Sequence, residues 1–290
     1  MGEGKREEIV DNANVEERRG RILIDHVEKV YDPEGVNVHA LRDCSADINP
    51  GELAMIVGPS GCGKTTLLNA IAGFDNATGG EIYLDGEMIA SANMTQSPGA
   101  DRIVVFQGGA LFPWKTVLSN IIYGPVIQGK MTKDEAVSEA RNLMERFGLS
   151  KSIEDLYPDS LSSGMKRQIE IIRALVNNPK VLLLDEPFRA LDSMTKGLMH
   201  EYLLEVFEMT HKTIFFITHD LEEAVFLGDR VYVMSTRPGT LKSVIDVDIP
   251  RPRDFRSLAT EKFAAIKEQV IAEVEEETIK AFEAGERELA

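Results

Sequence analysis

The chain is short of positive charge, of cysteine and of long apolar runs. Among its 290 residues, 32 Lys and Arg stand against 48 Asp and Glu, a formal net charge of −16. A chain this acidic lacks the basic face that nucleic-acid binding needs, which argues against nucleic acid as the main partner. Cysteine occurs twice, as Cys44 and Cys62. Reduced thiols in a cytosolic compartment are the simplest expectation. No apolar run approaches the ~18 residues needed to span a bilayer. No apolar stretch follows Lys5 and Arg6, so no signal peptide is expected. A chain of this kind that works at a membrane docks there through a partner. Internal repeats and low-complexity linkers are missing as well.

What is present is a hydrophobic content of 43%. That supports one large domain, or one domain with an inserted lobe. Residues 1–20 are polar and charge-dense and read as a flexible tail. Residues 21–30 alternate as a strand, and residues 36–48 read as a hairpin return into the turn at Asn49-Pro50-Gly51. Short strands are expected at 81–85 and 102–106. Residues 111–177 read as a helical lobe, with helices over 132–147 and 165–176. The apolar runs 181–184, 213–217 and 230–234 are unbroken, as in strands buried on both faces. Beyond Arg253 the chain reads as one long helix with Phe263, Ile266, Val270 and Val274 on a stripe. The stripe packs on the chain's own core or serves as an interaction face.

Residues 58–65 carry the most chemistry. Gly58-Pro59-Ser60-Gly61-Cys62-Gly63-Lys64-Thr65 has the spacing of a loop that wraps nucleotide phosphates. It follows the apolar strand 53–57 and opens a helix at Thr66, the context the motif requires. Glycines let backbone N–H groups converge into an anion nest. The helix start adds unpaired donors and its dipole. Lys64 offers a cation to the β- and γ-phosphates, and Thr65 a hydroxyl to Mg²⁺. Asp185 and Glu186 end the apolar strand 181–184. Asp185 suits Mg²⁺, and Glu186 suits a base for an attacking water. An ordinary acidic strand end is the alternative. His219 follows another apolar strand and could reach a γ-phosphate or simply cap or pack. Leu161-Ser162-Ser163-Gly164 opens a helix with Ser162 as N-cap candidate, a second anion site. A head-to-tail dimer could bring it to the phosphate loop.

The order is phosphate loop, Gln107, Leu161-Ser162-Ser163-Gly164, Leu184-Asp185-Glu186-Pro187, Ala190-Leu191-Asp192 and Thr218-His219-Asp220. That order resembles the ATP-binding subunit of ABC transporters over residues 21–253. Pro98-Gly99-Ala100-Asp101-Arg102, Leu111-Phe112-Pro113-Trp114, Arg237-Pro238-Gly239 and Pro250-Arg251-Pro252-Arg253 make it similar to the nitrate, sulfonate and taurine importers. The resemblance implies an α/β P-loop NTPase core with an antiparallel β subdomain and the helical subdomain at 111–177. Residues 254–290 are then a C-terminal helical extension. ATP and Mg²⁺ are the implied cofactors. Gly58 to Thr66 would bind nucleotide, with Tyr31 stacking on adenine unless it is a core tyrosine. Gln107 would sense Mg²⁺ and the γ-phosphate, Thr65 and Asp185 would hold the metal, and Ser162, Ser163, Gly164 and Asp192 would act across a dimer. Lys64, Glu186 and His219 would carry hydrolysis. Phe112, Pro113 and Trp114 fall where a permease would dock, or else form lobe core. The implied partners are a second ATPase subunit in a homodimer, the permease subunits and, indirectly, a solute-binding protein. The implied place is the cytoplasmic face of the inner membrane. A soluble ABC ATPase of translation or DNA maintenance, and a weakly catalytic regulatory subunit, are the rival readings.

Three departures from the resemblance stand out. Ser163 replaces a usual glycine, Arg167-Gln168 reverses a usual Gln-Arg, and Arg189 replaces a small residue. The Ser163 side chain either crowds the partner's γ-phosphate or adds a donor.

Overall fold

The computed structural model describes residues 19–32, 35–94 and 97–283. All but the last two residues of the expected tail, and residues 284–290 of the expected extension, lie outside the described residues.

Strands β1 (Ile22–Tyr31) and β2 (Val38–Ile48) form an antiparallel pair. In β1, Ile22, Ile24 and Val27 point into the core. The register shifts between Ile24 and Val27, where His26 takes a left-handed φ of 49° and absorbs the extra residue. Strand β3 (Leu53–Val57) is buried throughout and leads into the phosphate loop and α1 (Lys64–Ala72). The hairpin of β4 (Gly79–Leu84) and β5 (Glu87–Ser91) returns to the first pair, giving a four-stranded sheet in the order β2-β1-β4-β5.

Strand β6 (Arg102–Val105) opens onto the lobe, which holds α2 (Val117–Ile127), α3 (Lys133–Arg146) and α4 (Ser163–Val176). Helix α3 begins with a full capping box between Thr132 and Glu135. The chain then resumes its strand–helix alternation: β7 (Val181–Asp185), α5 (Ser193–Thr210), β8 (Thr213–Ile217), α6 (Leu221–Leu227) and β9 (Arg230–Met234). Strand β10 (Leu241–Asp246) adds antiparallel to β9. The second sheet has six strands in the order β10-β9-β3-β8-β7-β6, parallel from β9 to β6.

Alternate residues of β3 feed two cores. Ala54 and Ile56 join Ile22, Ile82, Leu67 and Ile71 between the sheets, with α1 in the same layer. Leu53, Met55 and Val57 join Ile172, Phe226 and Phe263 on the other side, where the lobe, α6 and the last helix cover the sheet. That last helix, α7, spans Glu261–Glu283, so the chain after Arg253 is not continuously helical. Arg253 stops it earlier. Its guanidinium is buried and donates to the carbonyls of Phe226, Gly228 and Val247, tying down an irregular strap. The α7 stripe packs on the chain's own core: Phe263 and Val270 are buried, with Ile266 and Val274 partly so.

Candidate nucleotide site

The phosphate loop curls because three of its residues are glycines with φ between 75° and 153°. At Gly63 a Cβ would lie 2.8 Å from the carbonyl oxygen of Ala40, so space and conformation both require glycine there. Gly63 is also the N-cap of α1 and supplies no side-chain acceptor. The amides of the first turn therefore face outward as donors for an anion. Lys64 Nζ lies over the loop and donates to the carbonyls of Gly58 and Pro59, each at 2.8 Å. Ser60, Gly61 and Thr65 are exposed, whereas Pro59 and Cys62 are buried. Burial pushes the Cys62 thiol upward, which makes it a packing residue of the loop and a poor nucleophile.

The ends of the parallel strands bring the acidic groups to this loop. Thr65 Oγ1 donates to Asp185, with oxygens 3.2 and 3.4 Å away. Burial pushes the Asp185 carboxyl above its usual range, while Thr65 and Lys64 pull it back. A hard divalent cation on these oxygens would favour the charged form. The hydroxyl–carboxylate pair is the oxygen-only donor set Mg²⁺ accepts beside phosphates. Among the described residues there is no cluster of three or more His, Cys, Asp or Glu able to hold a metal unaided.

Register places the next pair. Asp185 lies opposite Ile217 across β7 and β8, so the residues that follow emerge side by side. Glu186 takes a left-handed φ of 44° and its amide donates to the Ile217 carbonyl. Its Oε2 lies 3.4 Å from His219 Nδ1. The His219 side chain is 57% exposed, free to meet a ligand from solvent. These groups sit beyond the carboxyl ends of parallel strands, where open α/β sheets bind ligands.

Tyr31 is not a core tyrosine. It is 38% exposed at the end of β1. Its hydroxyl donates to Asp75 at 2.6 Å, and Lys29 Nζ lies 4.7 Å from the ring centre. Gln107 is exposed just after β6, and its carbonyl accepts from Arg167 at 2.8 Å. Ser162 caps α4 by accepting from the Met165 amide, with Ser163 exposed beside it and Gly164 buried. Helix α4 packs chiefly on α2, α3, α5 and β6, which keeps its cap with the lobe and not with the phosphate loop. Asp192 caps α5 through the amides of Met194 and Thr195.

Sequence reasoning missed Lys29 and Asp75 behind Tyr31, and it gave Arg237 no job. Arg237 Nη2 donates to the Gly61 carbonyl at 3.2 Å, bracing the phosphate loop from the turn after β9. The triplet Arg237-Pro238-Gly239 was a visible signal for that turn; nothing in the local sequence marked Asp75.

A phosphate loop ahead of a helix, a carboxylate pair on the neighbouring strand end and an inserted helical lobe define a P-loop nucleotide-binding ATPase. Comparison with known proteins narrows the class. The ABC transporter family profile matches residues 41–189. The nitrate import ATP-binding protein of a Synechocystis species is 44% identical over 78% of this chain and 82% of its own length. The taurine import ATP-binding protein of Rhizobium johnstonii is 42% identical over 87% of this chain and 95% of its own. A dimeric structure of a bacterial ABC transporter cassette matches with a TM-score of 0.68 at 30% identity, over 79% of this chain and all of that one. The chain belongs to the ABC transporter ATP-binding family, and it is an ATP-binding cassette.

Proposed function

We propose that the chain is the ATP-hydrolysing subunit of an ABC importer for a small anionic or organic solute of the nitrate, sulfonate or taurine type. It works as a pair of identical subunits on the cytoplasmic face of the inner membrane. The observation that carries this is the convergence of Lys64, Thr65, Asp185, Glu186 and His219 at the carboxyl ends of β3, β7 and β8. Lys64 and the loop amides hold the phosphates, and Tyr31 receives the adenine. Thr65 and Asp185 would hold Mg²⁺, with Gln107 as a further contact, and the ion would supply positive charge to offset that of the phosphates. Glu186 takes the proton from the attacking water. His219 supports the charge that develops on the γ-phosphate. The α4 start, where Ser162 and Ser163 are exposed beside the buried Gly164, and the exposed Asp192 would face a twin subunit.

No described helix is long and apolar enough to cross a membrane, so transport requires a permease. A surface cavity of about 360 Å³ lies beside Gln107, lined by Phe106, Phe112, Tyr123, Glu170 and Arg173. Trp114, 71% exposed, stands at 5.6 Å from the Phe112 ring. An aromatic hollow with a polar floor suits an inserted helix of a membrane partner.

The test is co-purification of the tagged full chain from gently solubilised native membranes, followed by an ATPase assay. A polytopic permease is expected in the eluate; its absence, with only ribosomal or DNA-repair partners recovered, overturns the transporter reading. Glu186→Gln is expected to cut turnover by about 100-fold or more while retaining nucleotide. Unchanged turnover in that variant would sink the assignment of the base.

A further inference from the structure

The carboxylate given the role of base is already engaged by this chain. The Arg189 amide donates to the Glu186 carbonyl at 3.3 Å, closing a tight turn around Pro187. The turn folds the Arg189 side chain back, and its Nη1 donates to Glu186 Oε2 at 3.0 Å. That is the oxygen which also faces His219 Nδ1 at 3.4 Å. Both contacts are therefore made to Oε2, and neither to Oε1. The Glu186 side chain is only 15% exposed, whereas that of Arg189 is 57% exposed. Nothing in this geometry anchors the fold. It is a pair between the residue placed to activate water and a solvent-facing cation three positions on.

We propose that Arg189 is a positioning residue that restrains the Glu186 carboxylate and sets the pace of hydrolysis. The proposal rests on Glu186 being the base. A charge-assisted hydrogen bond to Oε2 fixes the orientation of the whole carboxylate, Oε1 included. The carboxylate must turn, or the pair must stretch, before either oxygen can swing to meet an attacking water. Arg189 touches neither the phosphate loop nor the Thr65–Asp185 pair in any contact observed here, so it acts on the rate and not on nucleotide affinity. The exposed position also lets an approaching surface draw the guanidinium away. A twin subunit closing over this face, with an acidic or carbonyl group offered to Arg189, would free the base as the site closes.

The experiment is steady-state ATPase kinetics on the full chain with four variants: Arg189→Ala, Arg189→Lys, Glu186→Gln, and the double variant Glu186→Gln with Arg189→Ala. Arg189→Ala is expected to raise kcat by about three- to tenfold, the rate equivalent of freeing one modest hydrogen bond. KM for ATP stays within about twofold, since uniform binding is untouched. Arg189→Lys keeps the cation and remains near the wild type. In the Glu186→Gln background, Arg189→Ala has no effect. An unchanged or lower kcat in Arg189→Ala, or an equal rise in the Gln background, overturns the restraint. The two readings fail separately. Slow Glu186→Gln with an unaltered Arg189→Ala removes only the restraint, whereas wild-type turnover in Glu186→Gln removes the base and the restraint with it.

Discussion

Gly239 shows how tightly the loop is built around single atoms. A Cβ at this position would lie 1.9 Å from the carbonyl oxygen of Cys62. Its amide donates to Ala40 and its carbonyl accepts from Arg42, each at 3.0 Å, so it has no room to withdraw. Gly239→Ala must therefore push the phosphate loop out of shape. Overpacking of this kind costs about 1–3 kcal/mol. We expect a lower melting temperature and a smaller upward shift on adding ATP, both read from thermal denaturation with and without nucleotide. At this scale the sequence was legible where chemistry is local. Residues 58–65, the Asp185-Glu186 pair and the Ser162 cap lie in short motifs whose geometry follows from neighbouring residues. It was illegible where a contact joins distant positions. Asp75 holds the Tyr31 hydroxyl from 44 positions away, and Arg237 reaches Gly61 from 176 away. Arg189 was visible as an unusual residue, but only the turn at Pro187 reveals that it meets Glu186.

Elements tell a similar story. The buried strands β3, β7, β8 and β9 were legible as unbroken apolar runs. Helix α2 was not, because Gly124 and Pro125 sit inside it and read as breakers. Strand β10 was hidden because most of it is half-exposed at a sheet edge, which leaves no apolar pattern. The reversed Arg167-Gln168 order now has a physical account. Arg167 is buried in α4, where it donates to the carbonyls of Phe106 and Gln107 and pairs with Glu170 at 2.7 Å. Glu170 in turn accepts from the Ala110 amide. The helix that begins at Ser162 is thus latched to the Gln107 loop. Arg167→Ala strands a buried carboxylate and two carbonyls. We expect a loss of roughly 3 kcal/mol, measured by denaturant unfolding. Helix α7 is fastened differently, by Lys242 among Glu273, Glu276 and Glu277. Hydrogen bonds from Lys242 and then Lys280 bring the Glu276 carboxyl down to about 2. Burial opposes the same shift at Glu277, but bonds from Lys280 and the Thr236 amide outweigh it. Carboxylates depressed in the fold stabilise it above their ordinary range, near pH ~4.3, and lose that contribution as pH falls through the folded values. Hydrogen exchange in α7 should therefore rise between about pH 4 and 2, ahead of exchange in the parallel sheet.

On the scale of the molecule, the two sheets are joined beside the nucleotide site. The antiparallel sheet carries Tyr31 at the end of β1; the parallel sheet carries the phosphate loop at the end of β3. Beside that loop, Leu41 of β2 bridges Gly239 of the turn after β9, where backbone bonds join the two sheets directly. Asp75, just past α1, ties the Tyr31 ring to the same helix that opens at Lys64. If Tyr31 receives the base as proposed, platform and phosphate cradle would be jaws of a caliper whose gap is set by backbone and not by the ligand. A molecule that spans it is gauged by length before any charge is weighed. On that reading a base that carries no phosphate would reach only the first jaw.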